Sequence, residues 1–581
     1  MTGALTGGLA GSLLWLVPGL PLALAAAFLR QRWHSAAAKL VPWAALPALA
    51  ASLVAGQETE TRLSWVLLGS HLGVDATGRV FLLFTALVWL LAGVYAVSYV
   101  SEEGQPSRFF VCYLLAMAGN LGLVVAQDLL TFYLFFALMS FSAYGLVIHT
   151  GTAQALRAGR IYIYLVVAGE GCLVAGFLLA VNAAGTLELQ TVAATVANAP
   201  RRALIVALLV LGFGIKAGAV PLHVWLPLAH PVAPTPASAV LSGAMIKAGL
   251  LGWLRLLPLG HAALPEWGVP GIAAGLAAAL YGVLVGLTQR DPKTVLAYSS
   301  VSQMGLMAAA VALGLAVPAV SPLAQAACLT LALHHALAKG ALFLGVGVAG
   351  RASGAKSRYF AAFGLLLPAL ALAGAPFTSG AAAKAALKHA AASALVPMGD
   401  WLGAALSATS VATTLLMARF LFLAWPRRSG EGYLEPGLWV PWAALTAAAA
   451  TVVWLWPDLP AAAKEAVLPA KAWDFAWPVG LGCLMALAGE RLGRRALLGL
   501  RVPAGDLLAP ISWLLRSLPG SRLAGVAAAG RRVWPPPWIR RARSELRNYR
   551  VLSKMESYLA RWIAVGALFL AIVAIQLLLL R

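Results

Sequence analysis

The sequence predicts an all-α polytopic membrane protein. About sixteen transmembrane helices are expected, with two inverted five-helix repeats that each contain a broken helix, then a basic amphipathic lateral segment and a final anchor helix. Three observations carry this. Of the 581 residues, 61% are apolar and 11% are charged, whereas soluble domains have roughly 25% charged residues. Apolar runs long enough to cross a bilayer, ~20 residues each, recur along the whole chain. Two of these runs are interrupted by proline in mid-membrane. A chain this long with so little charge cannot cover a water-facing surface, which excludes a cytosolic enzyme, a disordered protein and a nucleic-acid binder.

The sixteen spans lie near 9–29, 40–56, 80–100, 109–126, 129–149, 161–183, 202–221, 237–257, 271–288, 295–316, 323–349, 359–396, 401–425, 438–456, 475–490 and 560–580. They read as helices because barrel strands would alternate with period two. The first run lacks a basic region and a cleavage site, so it reads as a span and not as a signal peptide. Loops after odd-numbered spans up to the thirteenth carry 13 Lys/Arg, and loops after even-numbered spans together with the adjoining span ends carry seven. The bias places the odd loops in the cytoplasm and both termini outside, as an even span count requires.

The seventh span runs into Pro221, Pro227, Pro231, Pro234 and Pro236, and the twelfth carries Pro376 and Ser379-Gly380. Proline removes an intrahelical hydrogen bond, and such breaks persist where they are buried in protein or line a wet cavity. The two breaks sit five spans apart, as expected of paired repeats around an ion path. The expected domains are helices 1–3 (1–108), a first five-helix half-channel (109–258), a second (271–425), helices 14–15 (438–490), the lateral segment (491–559) and the anchor (560–581). The net charge is +22, and 14 Lys/Arg against three acids within 491–556 supply half of it. That location points to anionic headgroups rather than nucleic acid. Ile539, Leu546, Tyr549, Leu552, Met555 and Leu559 recur at near-helical spacing between the basic residues, the pattern of an amphipathic helix lying along a membrane or along other helices.

Ionisable residues inside spans are costly, so each is a functional candidate. These are Glu170, Lys216, Lys247, His335, Lys339 and Lys384, with His223, His334 and Asp128 behind them. A lysine taken out of water exchanges its proton nearer neutrality, and a row of such groups joined by water conducts protons. The plainer reading of Lys216 and Lys247 is snorkelling or neutralisation of a helix end. For His335 and Lys339, which share a helix face at i and i+4, it is a hydrogen-bonded core histidine beside an interfacial lysine. His334 points about a quarter-turn away and reads as packing. Glu170, the one acid well inside a span, pairs with a lysine or tunes it. The four cysteines form no C-x-x-C, so no disulfide framework, zinc ribbon or iron–sulfur ligand set is expected. No catalytic motif is present either. The sequence therefore predicts no catalytic centre, cofactor or metal of its own.

Several stretches together resemble a known family. KAGAVPLHVWLPLAHPVAPTPASAVLSGAMIKAG (216–249), DPKTVLAYSSVSQMG (291–305), HHALAKGALFLG (334–345) and LGVDATGRVFLLF (72–84) are similar, in this order, to the antiporter-like subunits of respiratory complex I, membrane-bound [NiFe] hydrogenase, formate hydrogenlyase and Mrp antiporters. The similarity covers roughly residues 70–425. The C-terminal ESYLARWIAVGALFLAIVAIQLLLL (556–580) resembles hydrogenase-type members most. The resemblance implies inverted repeats and proton or cation translocation coupled to redox chemistry elsewhere. By motif, Lys216 matches the first broken-helix lysine, Lys247 the lysine of the next span, His335 and Lys339 the central H-x-x-x-K, and Lys384 the second broken-helix lysine. Glu170 falls where some members have an acid in the sixth span. One departure stands out: the fifth-span glutamate of a W-E pair is replaced by Phe136-Ala137. Asp128 is a poor substitute near a span end, and Glu170 is the better one.

The expected function is a proton-translocating subunit of a redox-driven complex in a bacterial-type plasma or inner membrane. Its partners would be other membrane subunits and the lipid bilayer, with protons or Na+ as the carried ion and no nucleic acid. Two alternatives remain: a coupling subunit for bicarbonate or CO2 uptake with a soluble zinc partner, and a scaffold whose channel has decayed.

Overall fold

The structure is a computed structural model that describes residues 2–54, 59–66, 69–101, 105–394, 398–426, 435–492 and 502–508. Its named elements fall within one compact unit, residues 1–506. After helix α1 (Thr2–Ala27) and the short α2 (Leu46–Val54), a two-stranded hairpin, β1 (Glu60–Leu63) and β2 (Ser70–Gly73), precedes the main bundle. The strands are antiparallel, with Glu60 opposite Gly73. The bundle continues with α3 (Ala76–Ser101), α4 (Pro106–Val125), α5 (Leu129–Val147), α6 (Ala153–Ala184), α7 (Arg202–Ala217) and α8 (Trp225–Val232). Then come α9 (Thr235–Leu256), α10 (Pro265–Leu287), α11 (Pro292–Ala316) and α12 (Ser321–Arg351). Last are α13 (Ala355–Ala373), α14 (Ser379–Ala392), α15 (Met398–Ala424), α16 (Pro436–Leu455) and α17 (Ala472–Leu492).

The protein is helical and multi-pass. Among the described residues, twelve helices are long and apolar enough to cross a membrane, or thirteen if the bent pair Gly11–Ala27 and Gln31–Leu40 is one span. The sixteen expected from sequence exceed this for three reasons. The second span is only the short Pro42–Val54. The twelfth is cut into α13 and α14. The sixteenth lies outside the described residues, as do the anchor over 560–581 and the lateral segment over 491–559 apart from residues 491–492 and 502–508.

Burial sorts the helices. The apolar windows of α9 and α11 are 94% buried, whereas those of α6 and of the last helix are 39% and 22% buried. The inner helices carry small residues that let backbones approach. In α9, a Cβ on Gly243 would lie 3.1 Å from the Ala336 carbonyl of α12. The sequence places most aromatic residues near span ends, yet Trp89, Trp225 and Trp442 are fully buried. Each has an acceptor for its indole N–H: Asn120 Oδ1 at 2.9 Å, the Ile215 carbonyl at 2.8 Å and the Ala341 carbonyl at 3.0 Å. Buried indoles need such partners.

Both proline-rich interruptions are real breaks. α7 ends on Gly218 at φ +71° and α13 on Gly374 at φ +85°, a left-handed conformation that glycine adopts without steric cost. After the second break the helix restarts at Thr378, whose side chain accepts the Ala381 N–H at 3.4 Å.

Candidate proton-pathway site

Lys216 occupies the last turn of α7, immediately before the first break. Its ammonium donates to Tyr162 Oη at 3.2 Å and lies 5.7 Å from the centre of that ring. The phenol in turn donates to the Ser140 carbonyl at 2.8 Å. Trp225, at the start of α8, packs edge-on against Tyr162 with centroids 5.1 Å apart. Its indole N–H bonds the Ile215 carbonyl across the break. Glu170 lines the same narrow cavity, with Phe136, Ser140, Tyr162, Lys216 and Trp225. Glu170 and Lys216 interact through space, and Glu170 Oε2 has no hydrogen-bond partner in the protein. The carboxyl of Glu170 is also met by the side chains of Ser140 and Tyr133. Phe136 faces this cavity from α5, where the sequence lacks the fifth-span glutamate, and Ala137 does not line it.

The next group is in α9. Residues Leu241–Met245 widen into a π-turn, with the Ile246 N–H bonding the Leu241 carbonyl at 3.2 Å. Such turns free carbonyls and recur at functional sites. Here the Ser242 carbonyl accepts Lys247 Nζ at 2.5 Å. The Ser242 hydroxyl lies 2.7 Å from that of Ser300, which donates to the Leu296 carbonyl at 3.1 Å. Since Ser300 spends its one proton there, Ser242 is the donor. Lys339 Nζ reaches the same Leu296 carbonyl from α12 at 2.7 Å. Lys247 and Lys339 are thus linked through one serine pair, and both are fully buried.

His335 lies among Lys247, Lys339 and His334, and neither of its ring nitrogens has a protein partner. His334, read from sequence as packing, reaches the second break: its Nδ1 is 2.9 Å from Ser379 Oγ. Ser379 donates its proton to the Ala449 carbonyl at 2.9 Å, so His334 carries its proton on Nδ1. Lys384, one turn into α14, points back to the open carbonyls of α13, bonding Ala373 at 2.7 Å and Leu372 at 3.4 Å. A cation at a helix C-terminus is stabilised by the helix dipole.

Sequence reasoning missed His230. It is fully buried in α8, stacked on Phe343 at 4.5 Å, with both ring nitrogens unpartnered. Its electrostatic neighbours include Lys339, Lys293 and Lys247. The signal was available, because a helix restarting after a break re-enters the apolar region and its histidine is then intramembrane. Tyr162, Ser242 and Ser300 were missed as well, since hydroxyls in spans are too common to single out.

Two secondary candidates lie apart from this row. Asp128 caps α5, accepting the Thr131 N–H at 2.8 Å and the His71 N–H of the hairpin at 2.8 Å. That bonding accounts for its carboxylate structurally. His223 sits in the turn between α7 and α8, with Nε2 3.5 Å from Asp506 Oδ1. All four cysteines are free. Among the described residues no group of three or more His, Cys, Asp or Glu side chains is arranged to hold a metal.

Residues 126–392 match the family described as NADH:quinone oxidoreductase/Mrp antiporter, TM. Hydrogenase-4 component B of Escherichia coli (strain K12) is 35% identical over 287 residues, covering 48% of this chain and 43% of that protein. The chain spans less than half the length of the curated relatives it matches. Among solved structures, the Mrp complex from Dietzia sp. DQ12-45-1b superposes with a TM-score of 0.72 at 23% identity, over 97% of this chain and 63% of that one. The membrane-bound sulfane sulfur reductase (MBS), an archaeal respiratory membrane complex, gives 0.63 at 21% identity, over 82% of this chain and 99% of that one. At these identities the structural likeness speaks for the fold.

Proposed function

We propose that this chain, antiporter-like in its membrane core over residues 126–392, is a proton-translocating subunit of a multisubunit, redox-driven membrane complex. Residues 109–258 and 271–425 form two inverted half-channels around the two breaks. A change in a neighbouring subunit shifts the Glu170–Lys216 pair. The disturbance passes through Lys247 to His335 and Lys339, with His230 beside them, and a proton leaves by way of Lys384. The loop charges support both termini on the outer side of a bacterial plasma membrane.

One observation carries this reading. Six ionisable residues from five helices are buried in the interior of an apolar bundle, and two of the lysines meet on one carbonyl-and-serine relay. Stability alone does not call for such a row, because each unpaired ion is costly in a bilayer. The histidine nitrogens without protein partners suit bridging water, since buried polar groups are otherwise hydrogen-bonded. The test is to purify the tagged chain in gentle detergent, identify co-purifying subunits by mass spectrometry, and measure proton movement by the reconstituted complex. Redox subunits and a proton flux abolished by Lys339→Ala are expected. A soluble zinc protein as sole partner would point to carbon uptake, and a flux indifferent to Lys339→Ala would leave a scaffold.

A further inference from the structure

The segment 502–506 follows the last described helix and returns to the bundle where α10 meets α11. The Val502 carbonyl accepts Gln289 Nε2 at 3.0 Å. Four residues on, the Asp506 carboxylate accepts hydrogen bonds from Tyr281 of α10 and, at 3.2 Å, from Tyr298 of α11. Both phenol rings also stand across the imidazole of His223, with centroids 5.5 and 6.2 Å away. His223 is fully buried, and only 6% of the Asp506 side chain is exposed. Glu170, by contrast, lines the cavity of Lys216.

We propose that Asp506 is a proton-exchange group for the first broken helix, linking the junction of α10 and α11 to His223. This rests on the function proposed above. The geometry suits exchange better than anchoring. The Val502–Gln289 bond already docks the segment. A tether would also close on the imidazole, yet Oδ1 stops 3.5 Å from Nε2, beyond the ordinary N–H···O range of about 2.7–3.2 Å. Neither ring nitrogen of His223 has a bond of normal geometry. A closing movement of a few tenths of an ångström completes the contact. The Nε2–H bond of the imidazolium then breaks and an O–H bond forms on Asp506 Oδ1, leaving both groups neutral. The reverse transfer restores the ion pair. The two phenols hold the carboxylate in place while it changes charge. The groups facing it include His223 from the turn, Tyr281 from α10 and Tyr298 from α11.

The test uses the whole complex in liposomes. A valinomycin-driven potassium diffusion potential pulls protons, and trapped pyranine reports their entry. Asp506→Asn should assemble and slow proton entry by about tenfold or more, as for loss of a positioned acid–base group. Asp506→Glu should retain much of the rate, and added formate should restore part of it in the Asn variant. Normal entry with an unchanged pH profile in Asp506→Asn overturns the proposal. So does a slow rate that neither Asp506→Glu nor formate restores, because that marks a structural contact. If Asp506→Asn fails to assemble, the Tyr281→Phe/Tyr298→Phe variant keeps the acid but removes both phenol donors. Its pH profile should shift, and an unshifted profile overturns the proposal. Lys339→Ala run alongside separates the two readings: if it blocks entry while Asp506→Asn does not, the exchange role fails and the proposed function stands, and if neither matters, the proposed function fails.

Discussion

The two breaks use the same backbone device and put their lysines on opposite sides of it. Each upstream helix ends on a left-handed glycine, Gly218 or Gly374. Lys216 comes before its glycine and turns away from the helix end to the Tyr162 phenol, facing Glu170. Lys384 comes after its glycine and reaches back to the Leu372 and Ala373 carbonyls that the break leaves open. The first lysine is therefore held by a side chain and opposed by a carboxylate. The second is held by backbone dipoles, and its through-space neighbour is another cation, Lys388. The first break thus sets its lysine against an acid, and the second leaves its lysine on backbone carbonyls beside another cation. Changes that blur this difference should do the most damage.

The largest effect is expected at the junction between the two regions. Lys339→Ala removes the charge that shares the Leu296 carbonyl with Ser300. Proton flux in vesicles should fall to background while the complex still assembles, since the lost bond is worth only about 1–3 kcal/mol. Retained flux would mean that the two halves do not communicate through this relay.

Next is the acid–base pair of the first break. Glu170→Gln and Lys216→Ala should each slow flux by roughly tenfold or more, and the double variant should be no slower than the worse single one. Residues acting as a unit are non-additive in this way. Additive losses in vesicle assays would show that the two side chains act separately and that the first half has lost its pair along with the fifth-span glutamate.

The glycines sharpen the comparison from the backbone side. A Cβ on Gly374 would lie 2.9 Å from Lys384 Nζ, whereas one on Gly218 would lie 3.1 Å from a Leu226 methyl. Gly→Ala at either site carries left-handed strain of about 1–2 kcal/mol, so the melting temperature in detergent should fall similarly in both. Only Gly374→Ala also displaces a pathway lysine, so it should reduce flux more. Equal flux losses would reduce both glycines to simple helix stops.

Much of this was legible in sequence because intramembrane charge is rare. Glu170, Lys216, Lys247, His335, Lys339 and Lys384 stand out against apolar runs, and all six are buried. Proline and glycine marked both breaks. What stayed hidden depends on pairings that one-dimensional spacing does not encode. Ser242 and Ser300 are ordinary hydroxyls until a π-turn in α9 brings them together. His334 looked like packing because a helical wheel shows direction but not neighbours, and its neighbour Ser379 is 45 residues away. Asp506 lies in a basic stretch more than 200 residues from the tyrosines it meets.

The smallest expected effect separates holding from conducting at the first break. Tyr162→Phe keeps the ring against Trp225 but removes the hydroxyl that accepts Lys216 and donates to the Ser140 carbonyl. A net intramolecular hydrogen bond is worth about 0.5–1.5 kcal/mol, so if the phenol only positions the lysine, flux should drop by roughly two- to tenfold. The loss should not depend on which residue occupies position 170, because the bond to Lys216 forms without Glu170. If the phenol instead relays the proton between Glu170 and Lys216, Tyr162→Phe should match Glu170→Gln in severity, and combining the two should add nothing. Vesicle flux in the two single variants and the double therefore decides whether the lysine before the break is held by one group and served by another, or held and served by the same chain of groups.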